Sequence, residues 1–247
     1  MKKLYILLGF LCLKSIAVCA TDSTTISVHY TERTPYLVTT DKGVEGLTGD
    51  IVTSAFTQAK IAFSWVETPP KRQIKILKEN KNNDCIVGWF KNDERQKFAK
   101  YTRAIYKDTP QIALARSDNN QLQDGLSIDT LLSNSAVTLL IKDGYSYGTF
   151  LDAKVIEHKP VVYRATIENV SMLKMVHQKR IDYFFISPQE ADGLIAFSEI
   201  PKNNFKYISF PDMSDGEKRY ILCSQKVDDQ VIKKLNAVIP PLTKREQ

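Results

Sequence analysis

Residues 84–106 read DCIVGWFKNDERQKFAKYTRAIY, and the rest of the chain is organised around them. Cys85, Ile86 and Val87 form a short apolar run of the kind a buried strand shows. Gly88 follows, then two aromatics, Trp89 and Phe90, that are expected to be exposed. Asn92, Asp93 and Glu94 supply an N-cap and two acids for a short helix, as helix starts favour. Arg95 falls in the first turn of that helix, where the dipole disfavours a cation. An arginine just past the carboxyl end of a strand, beside aromatics, suits a carboxylate ligand. Guanidinium offers a planar fork of donors and stays charged at any working pH. A surface ion pair with Asp93 or Glu94 is the plainer alternative, and both readings stay open at this point.

The chain around this stretch has 247 residues, 43% hydrophobic and 25% charged, with room for one large or two small domains. Its first twenty residues differ in kind. Lys2 and Lys3 precede an apolar run at 4–13, and Val18-Cys19-Ala20 is a small-residue exit. This predicts a secretory signal peptide over residues 1–20, cut after Ala20 and too short for a membrane span. Val18 is bulkier than a lipidation signal at Cys19 tolerates. Removing Lys2, Lys3 and Lys14 with no acid takes the net charge from +6 to +3. So mild a balance, without a Lys/Arg block, gives no footing for nucleic acid or membrane binding. Cys85 and Cys223 remain in the mature chain, either bridged, as an oxidising compartment permits, or as two buried thiols. His29, His158 and His177 are scattered, no Cys/His cluster has metal-ligand spacing, and no cofactor is expected. Hydrolase, metalloprotease and nucleotide-loop sequences are missing too.

From residue 25 the chain opens on an alternating strand over 25–30. Pro35 then turns it and sets Tyr36 at the edge of the sheet, as a ligand platform or plain surface. Gly43, Gly46 and Gly49 lead to Asp50. Ile51, Val52, Ala55, Phe56 and Ala59 mark one face of an amphipathic helix. A second strand covers 61–66, and Thr68-Pro69-Pro70 opens a helix with Ile74 and Leu77 facing inward. The first hundred residues therefore read β-α-β-α-β, which implies a parallel sheet.

In the second half, residues 118–125 are polar and turn-like, a hinge exit. A short helix at 127–132 and a buried strand at 136–141 follow. Asp143, Gly144, Tyr145, Ser146, Tyr147 and Gly148 make a turn into a helix, whose leading N–H groups suit an anion if the turn is more than a connection. Thr166 is read as the cap of a helix carrying Val170, Leu173 and Val176 inward. Residues 181–186 are a strand. Ser187, Pro188 and Glu190 form a capping box, with Ser at the N-cap and Glu at N3. Strands at 208–210 and 219–224 and a helix at 227–239 complete the chain.

The succession R-T-P-Y, G-x-x-G-x-x-G-D-I, P-P-K-R and D-x-x-x-G-W-F-x-x-D-E-R resembles the family 3 extracellular solute-binding proteins. F-A-K-Y-T-R-A-I-Y, D-G-Y-S-Y-G, K-R-I-D-Y-F-F-I-S-P and Y-I-L-C-S-Q continue the likeness over essentially the whole mature chain. The resemblance implies the type II periplasmic binding protein fold: two α/β lobes, mainly parallel sheets flanked by helices, and a ligand cleft between them. The expected first lobe joins residues 21–114 and 222–247, with 115–221 as the second. The function it implies is capture of a small carboxylate-bearing solute, an amino acid or related organic acid, by lobe closure. An ABC-type permease is the implied partner, and a monomer, not an enzyme, the implied form. A sensory or orphan module without a permease is the alternative, and a periplasmic enzyme on the same fold a further one.

The residues expected at the ligand are Arg95, Tyr36, Trp89 and Phe90 from the first lobe, and Gly144, Ser146, Tyr147 and Ser187 from the second. Two of them depart from the family. Where amino-acid receptors of this type carry an acid that pairs with the ligand's ammonium, this chain has Ser187. Phe90 stands where they often have a hydroxyl. A neutral hydroxyl cannot replace a carboxylate facing a buried ammonium, since an unpaired buried charge is expensive. An anionic group is thus expected in the cleft, and Glu32 or Glu45 is the candidate for a displaced acid. Tyr30 joins Tyr36, Trp89 and Phe90 as a candidate aromatic wall, each with a core reading beside it.

Overall fold

The computed structural model describes residues 25–242, so the predicted signal peptide lies outside the described residues. The first lobe begins with β1 (Ile26–Tyr30), a hairpin of β2 (Val38–Thr40) and β3 (Gly43–Glu45), and α1 (Gly49–Gln58). It continues through β4 (Phe63–Glu67), α2 (Pro70–Glu79), β5 (Asp84–Phe90), α3 (Asp93–Gln96), β6 (Ala99–Tyr101) and β7 (Tyr106–Lys107). The second lobe holds β8 (Ile112–Arg116), α4 (Ile128–Leu132), β9 (Leu139–Lys142), α5 (Thr149–His158) and β10 (Val162–Ala165). After them come α6 (Asn169–His177), β11 (Tyr183–Ile186), α7 (Pro188–Ser198) and β12 (Phe205–Ile208). The chain then returns to the first lobe as β13 (Lys218–Ser224) and α8 (Asp229–Val238).

The first sheet runs β4-β1-β5-β13-β6, with β7 also on β13. The second runs β10-β9-β11-β8-β12. Parallel pairing holds where the β-α-β reading predicted it, between β1 and β4 and between β1 and β5. The strands that enter from the other lobe, β13 and β8, pair antiparallel with their neighbours. Both sheets are therefore mixed, because a strand arriving from the opposite lobe comes in against the grain of the β-α-β units.

Strand pairing also places the lobe boundaries. Residues 112–114, expected in the first lobe, pair with β11 and β12 of the second. Residues 218–221, expected in the second, pair with β5 and β7 of the first. Two segments, 108–111 and 209–217, thus cross between lobes. They touch: Asp108 N–H donates to the Glu217 carbonyl at 2.9 Å. Gly216 is required there, since a Cβ would sit 1.6 Å from the Asp108 carbonyl oxygen.

Apolar side chains pack each lobe on both faces of its sheet. Val52, Ala55 and Phe56 of α1 and Leu235 of α8 cover one face of the first sheet, with Leu77 of α2 on the other. In the second lobe, Leu131, Leu139 and Tyr183 lie on one side and Leu140, Leu173 and Phe184 on the other. Cys85 and Cys223, left open by the sequence, face each other across β5 and β13 and form a disulfide. The bridge thereby ties together the two separated pieces of the first lobe. Local readings shift in several places: Glu168, not Thr166, precedes α6 as its N-cap, the strand expected at 208–210 ends at Ile208, and the one expected at 136–141 starts at Leu139.

Candidate functional site

The strand ends of both lobes face one cleft, and Arg95 sits at its floor. Asn92 caps the single turn of α3 by accepting the Arg95 N–H at 2.9 Å, which fixes where that side chain starts. The guanidinium turns back to donate from Nη1 to the Phe90 carbonyl at 2.8 Å. Its centre lies 4.7 Å over the Trp89 ring, which Gln73 of α2 anchors by accepting the indole N–H at 2.8 Å. Arg95 is only 7% exposed, yet no carboxylate among the described residues pairs with it. Glu94 is engaged by Lys78 instead, and Asp93 accepts from Gln96. Burial accordingly lowers the Arg95 pKa from its ordinary value, while Tyr101, Asp152 and Glu94 act against that only from a distance.

A cavity of about 50 Å³ opens against this guanidinium, lined by Arg95, Trp89, Phe90, Gln73, Thr31 and Arg33 from the first lobe and by Tyr145 and Ser146 from the second. Beyond Arg33 and Tyr145 lies a larger chamber of about 540 Å³, with Glu32, Glu67, Glu168, Leu194 and Phe197 on its walls. Arg33 and Tyr145 line both spaces and form the partition between them.

That partition is built by an ion pair across the cleft. Arg33 donates from Nε and Nη2 to the two oxygens of Glu190, each at 2.6 Å, a bidentate geometry. Glu190 is 1% exposed and also accepts from Asn169. The guanidinium stands 5.5 Å from both the Tyr36 and Tyr145 ring centres. Burial works against its charge, and Glu190 more than offsets it, so the Arg33 pKa lies above the ordinary value. The capping box predicted at Ser187 is consequently half made. Ser187 does cap α7, but the Glu190 side chain leaves the helix start for Arg33, because a two-pronged charged pair outweighs one neutral N–H bond. Tyr36 and Ser187 make a second contact across the cleft at 2.7 Å, and burial holds the Tyr36 hydroxyl up at about 12.

Beneath the site, Arg219 forms a bidentate pair with Asp108 at 2.7 and 2.6 Å, both side chains nearly fully buried. Its Nη1 donates to the Gly88 carbonyl at 2.8 Å, and its centre lies 4.2 Å from the Tyr36 ring centre and 4.8 Å from that of Phe90.

Of the residues singled out in the sequence, Arg95, Trp89, Phe90 and Ser146 come together around the small cavity. Tyr36 and Ser187 meet each other instead of lining it. Tyr147 is partly buried against the second-lobe core, its hydroxyl accepting the Lys142 N–H, and Gly144 lies against Lys71. Three amides of the 144–148 turn are taken within the chain: Tyr147 N–H goes to the Asp152 carboxylate, Gly148 N–H to Ser146 and Tyr145 N–H to Lys142. Asp152 also takes the Ser146 hydroxyl. Tyr30 belongs to the core, bonded to Thr39 and edge-on to Trp65; Glu32 lines the outer chamber, and Glu45 lies on the exposed face of β3. Sequence reasoning missed Arg33, Gln73, Tyr145, Glu190 and the Asp108–Arg219 pair. Arg33 stood within the quoted R-T-P-Y, a charge straight after a strand end; Gln73 and the pair carry no local signal.

Two α/β lobes joined by two crossings, with a buried cation at the floor of the space between them, define a two-lobed binding protein. The chain belongs to the bacterial extracellular solute-binding proteins, family 3, matching over residues 26–247. Comparison with curated proteins by sequence gives no match. Among solved structures, the chain is similar to an ancestral arginine-binding protein bound to arginine, at 12% identity and TM-score 0.69 over 88% of this chain and 91% of that one. It is similar at 16% identity and TM-score 0.68 to holo ArgBP from T. maritima, over 88% and 89%. A third similar structure concerns glutathione import via GshT and the cystine ABC importer TcyBC of Streptococcus mutans, at 13% identity and TM-score 0.71 over 87% of each chain. At such identities the likeness to these structures is one of fold.

Proposed function

We propose that this chain is a periplasmic receptor that captures a small carboxylate-bearing solute, an amino acid or related organic acid, by closing its lobes, and delivers it to an ABC-type permease. The observation that carries the reading is Arg95: a buried guanidinium, stacked on Trp89, facing a cavity between lobes with no carboxylate of the described chain paired to it. A buried cation of that kind favours an anion, and the low dielectric of a shut cleft strengthens the attraction. Closure follows ligand only if the solute touches both lobes, and the cavity has walls from both. The signal sequence read at residues 1–20 and the extracellular family support the compartment. Binding proteins for arginine and the amino-acid ABC transporter protein of the same fold support the solute class and the permease. No reaction is proposed.

The test is a thermal-shift panel of amino acids, organic acids and amines on the secreted protein and on Arg95→Ala. At least one carboxylate should stabilise the wild type, by about 2.7 kcal/mol at a hundredfold excess over Kd. Arg95→Ala should lose the shift. An unchanged shift in that variant removes Arg95 from the site.

A further inference from the structure

Charge and acceptor placement in the small cavity narrow the solute further. Its lining includes two guanidinium groups, Arg33 and Arg95, and no Asp or Glu. Arg33 is neutralised by Glu190 on its far side, so the cavity presents one net positive charge. Four acceptors nearby are engaged, Gln73 Oε1 by Trp89, the Phe90 carbonyl by Arg95, the Gly88 carbonyl by Arg219 and the Thr31 hydroxyl by Gln73, and the Ser146 hydroxyl lies between Asp152 and the Gly148 N–H. An ammonium placed beside a carboxylate on Arg95 would therefore meet a second cation and no carboxylate of its own. The acid able to receive it, Glu190, has both oxygens held by the chain's own Arg33, which rests against Tyr36 and Tyr145 as a bound cation would.

We infer that the solute is a small monocarboxylic acid without an amino group, a 2-oxo, 2-hydroxy or unsubstituted acid, and that Arg33 on Glu190 is the specificity determinant that turns amino acids away. This rests on Arg95 as the carboxylate receptor. Net charge argues the same way: an acid of this class carries one negative charge at neutral pH, matching the single net positive charge, whereas an amino acid carries none. The cavity of about 50 Å³ holds the carboxylate end, and a longer tail passes Arg33 and Tyr145 into the outer chamber.

The experiment is calorimetric titration with matched pairs: lactate and pyruvate against L- and D-alanine, and 2-hydroxyisovalerate against valine. In the wild type each acid should bind about tenfold or more tightly than its amino partner, a 1.4 kcal/mol preference. Arg33→Met frees Glu190 and should raise amino-acid affinity by about tenfold or more, while Arg33→Met/Glu190→Leu should not. If Arg33→Met does not fold, the wild-type comparison decides alone. Amino acids binding the wild type as well as their partners, with loss on Arg95→Ala, overturn this inference and leave the receptor reading standing. No binding by any carboxylate, with Arg95→Ala unchanged, overturns the receptor reading itself.

Discussion

Replacing Cys85 and Cys223 together by alanine should weaken the first lobe and leave the second as it was. The bridge closes a loop with a sequence separation of 138. Loop-closure entropy for a chain that long sets the expected loss at about 5 kcal/mol, an upper figure because unfolded chains keep some structure. That is comparable with the whole stability of an ordinary domain. Urea unfolding reads it lobe by lobe, since the two tryptophans, Trp65 and Trp89, both lie in first-lobe strands. With a slope of about 2 kcal/mol per molar, the fluorescence midpoint should fall by up to about 2.5 M. Far-UV circular dichroism, which sees both lobes, should then show a second transition near the wild-type position. A fluorescence shift under about 0.5 M refutes the entropic argument. A full shift in which both signals move together refutes independent lobes.

Other expectations concern the buried polar groups. Asp108→Asn leaves Arg219 buried without its counter-charge and should cost about 3–5 kcal/mol in chemical denaturation, most of it recovered in Asp108→Leu/Arg219→Met. Glu190→Gln should raise the population of separated lobes, seen as a larger radius of gyration in small-angle scattering without ligand; an unchanged radius means the Arg33 contact does not hold the lobes. Burial keeps the Tyr36 and Tyr101 hydroxyls at about 12, above the ordinary 10.0. The folded chain thus holds those protons more tightly than the unfolded one. The stability they give is whole below pH 10 and is lost as pH climbs from there toward 12. A thermal midpoint that stays level across that window contradicts the burial, and Tyr36→Phe should flatten part of the fall.

Much of the architecture was legible because it is written in local pattern. Pro70 at the start of α2, Asn92 before α3 and Ser187 before α7 all stand where capping chemistry placed them. Strand direction was less so: β13 and β8 look like any apolar run, and only their long-range pairing makes the sheets mixed. The site divides the same way. Arg95 was visible because a cation in the first turn of a helix contradicts its local field, and a contradiction of that sort needs a reason. Glu190 was misread because its spacing from Ser187 satisfies a local motif fully. Its partner is 157 residues away, and no nearby signal announces it. Gln73 belongs to no local motif, yet it fixes the ring on which Arg95 rests.

Arg219 couples the crossing between the lobes to the floor of the site. It belongs to the returning strand, clasps Asp108 on the outgoing segment and holds the carbonyl of Gly88, which borders the small cavity. Pivot and floor are therefore one stiff piece. Any change that eases the swing of the halves also unsettles what the solute rests on, so faster release and broader selectivity should arise together in variants of this protein.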